Sequence, residues 1–191
     1  MSATAERHET DRPFVVDLSA LFERHVRELL RYCACRVGAE AAEDVVADTF
    51  LIAYRRWDSF DPKRATALTW LYGIATRVAY RHRRAESRRL ALYARSATSE
   101  VEEGFAEASA ARADAQLARK RIAAALAGLS RRQRDVVLLF AVADLEYSEI
   151  ADALSIPIGT VQSSLHRARA KLRAALDGAP HRKDSHEPRR T

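Results

Sequence analysis

The sequence is poor in the residues that build metal centres and disulfide frameworks. Its only cysteines, Cys33 and Cys35, sit two apart on a segment patterned as a helix. Their side chains therefore diverge by about 200° and do not readily share a disulfide or a metal ion, so both read as buried or half-buried thiols. The six histidines are scattered rather than spaced as ligands. No phosphate-cradling glycine loop and no nucleophile motif is present, so neither a catalytic residue nor a cofactor is expected. No apolar run approaches the roughly 18 to 20 residues that span a bilayer. The opening MSATAERHETDRP lacks an apolar signal core, so no membrane insertion and a cytoplasmic location are expected. No useful stretch alternates at strand period and no internal repeat occurs, which leaves an all-helical chain.

What is present is apolar surface and unevenly placed charge. With 191 residues and 48% hydrophobic content the chain can bury one large or two small cores. Lys plus Arg number 32 against 26 Asp plus Glu, a modest excess whose distribution matters more than its total. From Arg77 to Arg89 there are six arginines, with His82 and a single acid, Glu86. Such a helix should release counterions on binding nucleic acid and show steep salt dependence. Trp70, Tyr72 and Tyr80 nearby could stack on unpaired bases. From Ser96 to Ala118 the balance reverses: Glu100, Glu102, Glu103, Glu107 and Asp114 face only Arg112. Alanine, serine and acids make that segment a linker by composition.

These shifts predict a tail over residues 1–13, a lobe over 14–95, a flexible acidic linker over 96–118, a second lobe over 119–177 and a tail over 178–191. In the first lobe a helix from about Asp17 to Val37 ends at Gly38. A second, from about Ala41 to Trp57, opens with Glu40, Glu43, Asp44 and Asp48 and closes with Arg55 and Arg56, a polarity that suits the helix dipole. Its core stripe is Val46, Phe50, Ala53 and Trp57, leaving the acids and part of Thr49, Ile52 and Tyr54 to solvent or a partner. A turn-rich loop from Asp58 to Thr66 precedes a third helix carrying Leu68, Leu71, Ile74, Ala75 and Val78.

The second lobe contains a capping-box pattern, Ser130-x-x-Gln133, and then a candidate helix-turn-helix from Leu145 to Leu176. Pro157 and Gly159 mark the turn, so the last helix should begin near Thr160. Val161, Leu165, Ala168, Leu172 and Leu176 form its inward face. Ser163, His166, Arg167, Ala170 and Arg173 oppose them, flanked by Gln162 and Arg169, and no acid interrupts from Gln162 to Leu176. In motifs of this shape the second helix enters the major groove, with its first side chains on base edges and basic residues on phosphates.

Taken together, AEDVVADTFLIAYRRWDSFDP, TWLYGIATRVAYRHRRAE, the acidic linker and LSRRQRDVVLLFAVADLEYSEIADALSIPIGTVQSSLHRARAKL resemble a bacterial extracytoplasmic-function sigma factor of the sigma-70 family. Two independent lobes match in the right order and at the right separation. The resemblance implies two small helical domains, sigma domain 2 and a helix-turn-helix sigma domain 4, joined by a flexible acidic linker. It implies docking on the clamp helices of the largest subunit of core RNA polymerase through Asp44, Val46, Asp48, Phe50 and Tyr54. It implies a minus-10 element held as single-stranded DNA by Phe60, Lys63, Arg64, Trp70, Arg77, Tyr80, Arg81 and Arg84. The minus-35 duplex would fall to Thr160, Gln162, Ser163, His166, Arg167, Arg169, Lys171 and Arg173. An anti-sigma factor is a further implied partner.

The sequence departs from the family's pattern at Ala47-Asp48, where relatives commonly have Gln-Glu, at Arg77, where many have Asn, and at Gln162 and Ser164, where arginine is frequent. Two other readings compete. A free-standing helix-turn-helix regulator would bind a duplex palindrome as a dimer without polymerase. A helical adaptor would show no dependence on DNA.

Overall fold

The computed structural model describes residues 18–96 and 110–177, and every regular element in them is helical. The two expected tails and residues 97–109 of the expected linker lie outside the described residues. The first lobe contains α1 (Leu18–Val37), α2 (Ala39–Arg55), a 3-10 turn (Trp57–Ser59) and α3 (Ala67–Ser96). The second contains α4 (Ala110–Ala127), α5 (Arg131–Ala141), α6 (Tyr147–Leu154) and α7 (Ile158–Asp177).

The first lobe is a three-helix bundle. Leu29, Tyr32 and Cys33 of α1 meet Val45, Val46, Phe50 and Ala53 of α2 and Leu71, Tyr72, Ile74, Ala75 and Val78 of α3. Gly38 separates α1 from α2 with φ +90°, a conformation that side chains rarely adopt, which is why the chain can reverse there within one residue. The Tyr32 and Tyr72 rings pack edge to face at 5.1 Å, and the Tyr32 hydroxyl bonds the Thr76 hydroxyl at 2.6 Å. Tyr72 is therefore core, and the expectation that it could stack on a base is corrected: the α3 period turns it inward with Leu71 and Ala75.

In the second lobe the Ser130–Gln133 capping box forms as expected, with Gln133 N–H donating to Ser130 Oγ and Ser130 N–H to Gln133 Oε1. The helix α4 begins at Ala110, so the later part of the expected linker, 110–118, is helical. Its alanines are the strongest helix formers, and Arg134 closes its far end by donating to the carbonyls of Leu126, Ala127 and Leu129. The last helix starts at Ile158 rather than near Thr160. Pro157 stands just before it, and its carbonyl accepts from Thr160 and Val161 N–H, so Gly159 lies in the first turn of the helix.

The lobes touch. Leu71 and Ala75 belong to the same continuous buried cluster as Val136, Leu139, Ile150 and Val161, with α6 lying across α3.

Candidate nucleic-acid interface

On α7 the expected division of faces holds except at Leu176, expected inward but 37% exposed in the last turn of the helix. Val161, Ser164, Leu165 and Ala168 are buried, while Gln162, Ser163, His166, Arg167, Arg169, Lys171 and Arg173 are exposed and Thr160 is half-buried. Ser164, a departure from the family's frequent arginine, points into the core, where an arginine would need a partner. Gly159, Gln162, Ser163, His166 and Arg167 line one shallow open depression. Within it Arg167 Nη2 donates to Ser163 Oγ at 3.2 Å and Ser163 Oγ donates to the Thr160 carbonyl at 3.2 Å. The Arg169 guanidinium lies 5.1 Å from the Phe140 ring centroid, which ties that side chain back toward its own lobe. Amide, hydroxyl, imidazole and guanidinium groups on one face, with no acid before Asp177, match what groove edges and phosphates accept.

A second basic surface is built from the loop before α3 and the outer side of that helix. Asp61 fixes the loop, its Oδ1 accepting from Lys63 N–H at 2.9 Å and its carbonyl from Arg64 N–H at 3.1 Å. Thr66 caps α3 by accepting from Thr69 N–H. Trp57, Phe60 and Trp70 form an aromatic cluster with centroids 4.9 to 5.7 Å apart. Lys63, Arg64, Arg77, Arg81 and Arg84 are exposed, and Trp70, Arg77, Arg81 and Arg84 share one helical stripe. Partial burial, then the charge of Arg56, pull the Arg77 guanidinium below its ordinary value. No carboxylate among the described residues forms a salt bridge with Arg77, although Asp61 and Asp152 line the same cleft. Tyr80 is half-buried, with the Arg131 guanidinium 3.5 Å from its ring centroid.

The α2 face divides the expected polymerase contacts. Asp44, Asp48 and Tyr54 are exposed, but Val46 and Phe50 are 2% and 5% exposed and lie in the bundle core. Those two are corrected from contacts to supports, because both fall on the stripe that faces α1 and α3. Thr49 is buried as well and bonds the Val45 carbonyl. The apolar positions that do reach the surface are Leu51, 46% exposed, and Tyr54, 57% exposed. Glu40, Glu43, Asp44, Asp48, Leu51 and Tyr54 make one continuous acidic face ending in two apolar side chains.

Leu51, Gly73 and the pair Arg36 and Asp135 are not among the residues expected from the sequence. Arg36 falls in register with Leu29, Tyr32 and Cys33, and Asp135 stands inside the buried run of α5. A charge on an apolar stripe was the available signal. Its partner, 99 residues away, was not readable. Among the described residues no group of His, Cys, Asp and Glu could hold a metal. No described helix is long and apolar enough to cross a membrane.

Residues 21–89 match sigma-70 region 2 and residues 119–172 match sigma-70 region 4. The chain is 33% identical to the ECF RNA polymerase sigma factor SigW of Bacillus subtilis, covering 87% of this chain and 90% of that one. It is 32% identical to the ECF RNA polymerase sigma factor SigG of Mycobacterium tuberculosis over 87% of this chain, and spans 50% of that relative's length. The fold is similar to that in the structure of CnrH in complex with the cytosolic domain of CnrY, with a TM-score of 0.61 and 27% identity, covering 85% of this chain and 89% of that one.

Proposed function

We propose a function from one premise: the chain belongs to the extracytoplasmic-function RNA polymerase sigma factors of the sigma-70 family. It is an initiation factor rather than an enzyme. It binds core RNA polymerase and directs initiation from promoters that carry its upstream and downstream elements. Residues 14–95 serve as sigma domain 2 and residues 119–177 as sigma domain 4. The acidic face of α2, with Asp44, Asp48, Leu51 and Tyr54, docks on the clamp helices, an acidic surface with apolar anchors meeting a basic helical partner.

The exposed face of α7 reads the minus-35 duplex, with Gln162, Ser163, His166 and Arg167 at base edges and Arg169, Lys171 and Arg173 on phosphates. The loop with Phe60, Lys63 and Arg64 and the outer stripe of α3 take the minus-10 strand after it opens. Arg77 in place of an amide favours phosphate or guanine there. The protein works in the cytoplasm, where polymerase is, and an anti-sigma protein restrains it; CnrH, which shares the fold, was solved with the cytosolic domain of CnrY.

The observation that carries this reading is the pairing of two unlike basic surfaces on separate lobes. One is a rigid helix face suited to duplex DNA, and the other an arginine stripe beside an aromatic cluster suited to a single strand. Run-off transcription with core polymerase and a promoter library tests it. Initiation from a defined subset of sequences is expected. Failure to initiate from any sequence, or tight dimeric operator binding without polymerase, would overturn it.

A further inference from the structure

Helix α6 crosses α3 at Gly73, where a Cβ would lie 2.5 Å from the Ala153 carbonyl oxygen, an approach that only a residue without a side chain permits. Further along α3, at Tyr80, the start of α5 comes alongside, and the Arg131 guanidinium lies 3.5 Å from the Tyr80 ring centroid. Arg83 shares the Tyr80 face of α3 by helical register. Arg134 follows Arg131 by one turn of α5, and Arg36 of α1 reaches the same place by donating to Asp135 Oδ1 at 2.6 Å.

Charge at this junction is unbalanced. The guanidiniums of Arg36, Arg83, Arg131 and Arg134 meet here with a single carboxylate, that of Asp135. Its Oδ1 accepts from Arg36, and its Oδ2 lies 3.8 Å from Arg131 Nε. Arg134 directs its donors to the carbonyls of Leu126, Ala127 and Leu129, which satisfy hydrogen bonds but neutralise no charge. Among the described residues Arg83 has no ion pair, and Glu86, the next acid on α3, is taken by Arg89 at 3.3 Å. Arg36 Nε is buried with no hydrogen-bond partner among them, on a side chain only 6% exposed. Burial, then the charges of Arg83 and Arg36, pull the Arg134 guanidinium below its ordinary value, against the opposing effect of Asp135. The polarity of α5 adds to the excess. It opens with Arg131, Arg132 and Arg134 and no acid in its first turn, at the end where the helix dipole already disfavours a cation.

We propose that this junction is a binding site for an oligophosphate, held between Arg83 of α3 and Arg131 of α5 with Arg134 and Arg36 behind them. Like charges this close repel, and a multiply charged anion removes that repulsion. Planar guanidinium forks pair two oxygens at a time, a geometry that phosphate offers and chloride does not. Arg83 and Arg131 are exposed and can turn toward a ligand, whereas Arg134 and Arg36 are fixed by their bonds. Arg83, Arg131 and Arg134 belong to neither surface assigned above to promoter DNA, so the site stands independently of those assignments. Free inorganic oligophosphate and the tail of a nucleoside triphosphate both offer this chemistry.

Calorimetric titration of the full chain in magnesium-free buffer, at about 0.15 M chloride where long-range attraction is screened, tests the site. Sodium tripolyphosphate is expected to bind once per chain and to raise the thermal midpoint. Arg83→Gln and Arg131→Gln should each weaken it about tenfold, the loss of one charge-assisted pair. Both side chains are exposed, so circular dichroism should not change. Arg24→Gln, an equal change of net charge at an exposed position of α1, should bind like the wild type. ATP binding as tightly as tripolyphosphate would identify a nucleotide tail as the ligand, and weaker ATP binding a free oligophosphate. Absence of saturable binding, equal binding of sulfate, or an equal loss in Arg24→Gln would overturn the site. So would a mixed-sequence single-stranded DNA whose binding depends on Arg83 where tripolyphosphate does not bind, since the junction would then be a nucleic-acid contact.

Discussion

Arg167 carries the sharpest expectation for a single side chain. Its link to Ser163 holds it beside the depression on α7, where a base edge is proposed to take the place of the hydroxyl. Replacing it by alanine should cost the polymerase complex roughly 1 to 3 kcal/mol in binding to its preferred minus-35 sequence, and less to promoters altered at that base pair. Fluorescence anisotropy with the two promoter sets reads this; an equal loss on both makes Arg167 a phosphate contact. Its exposure was legible because helical period alone separates it from Val161, Leu165 and Ala168. Val46 and Phe50 were legible as core and illegible as contacts for the same reason, since one stripe cannot serve both. The pair Arg36 and Asp135 shows the limit of such reading: local pattern places each charge on a buried face, but only the meeting of two lobes supplies the counter-charge.

Among the elements, α2 has the clearest division of faces, one stripe buried in its bundle and the opposite one, acidic and exposed, proposed to meet a partner. Reversing Asp44 and Asp48 to lysine should weaken binding to core polymerase in a pull-down and leave the thermal midpoint little changed, because both side chains are exposed. Unchanged capture would remove α2 from the docking surface. The acids at its beginning were readable from composition, whereas Leu51 came forward only once burial had taken Val46 and Phe50 out of reach. The helix α4 makes a different point. Composition in 110–118 suggested a linker, yet alanine disfavours no helix, and Arg134, reaching back from α5, supplies the missing donors at its end. The start of α7 moved for a related reason: proline ends the preceding turn and also opens the helix that follows.

For the whole molecule, burial of ionisable groups sets the alkaline limit of the fold. Burial pushes Tyr32 from 10.0 up to about 12 and Cys33 from 9.0 up to about 12. Well below pH 9.0 both stay protonated, folded or unfolded, and contribute no pH dependence. Above it the unfolded chain releases protons that the fold retains, so stability should fall from pH 9.0 toward about 12. Urea midpoints across that range measure it, and a flat profile would contradict the burial of both groups. Helical class and the order of two lobes were readable in the chain, but not their contact, because it depends on Gly73 and on pairs far apart in sequence. The aromatic cluster has a consequence for all such measurements. The chain has two tryptophans, and Trp57 and Trp70 pack 5.7 Å apart in that one cluster. Indole emission from the entire protein therefore originates beside the loop proposed to take the minus-10 strand. A base stacking there would quench it, so a strand bound at this cluster would be reported without an added dye.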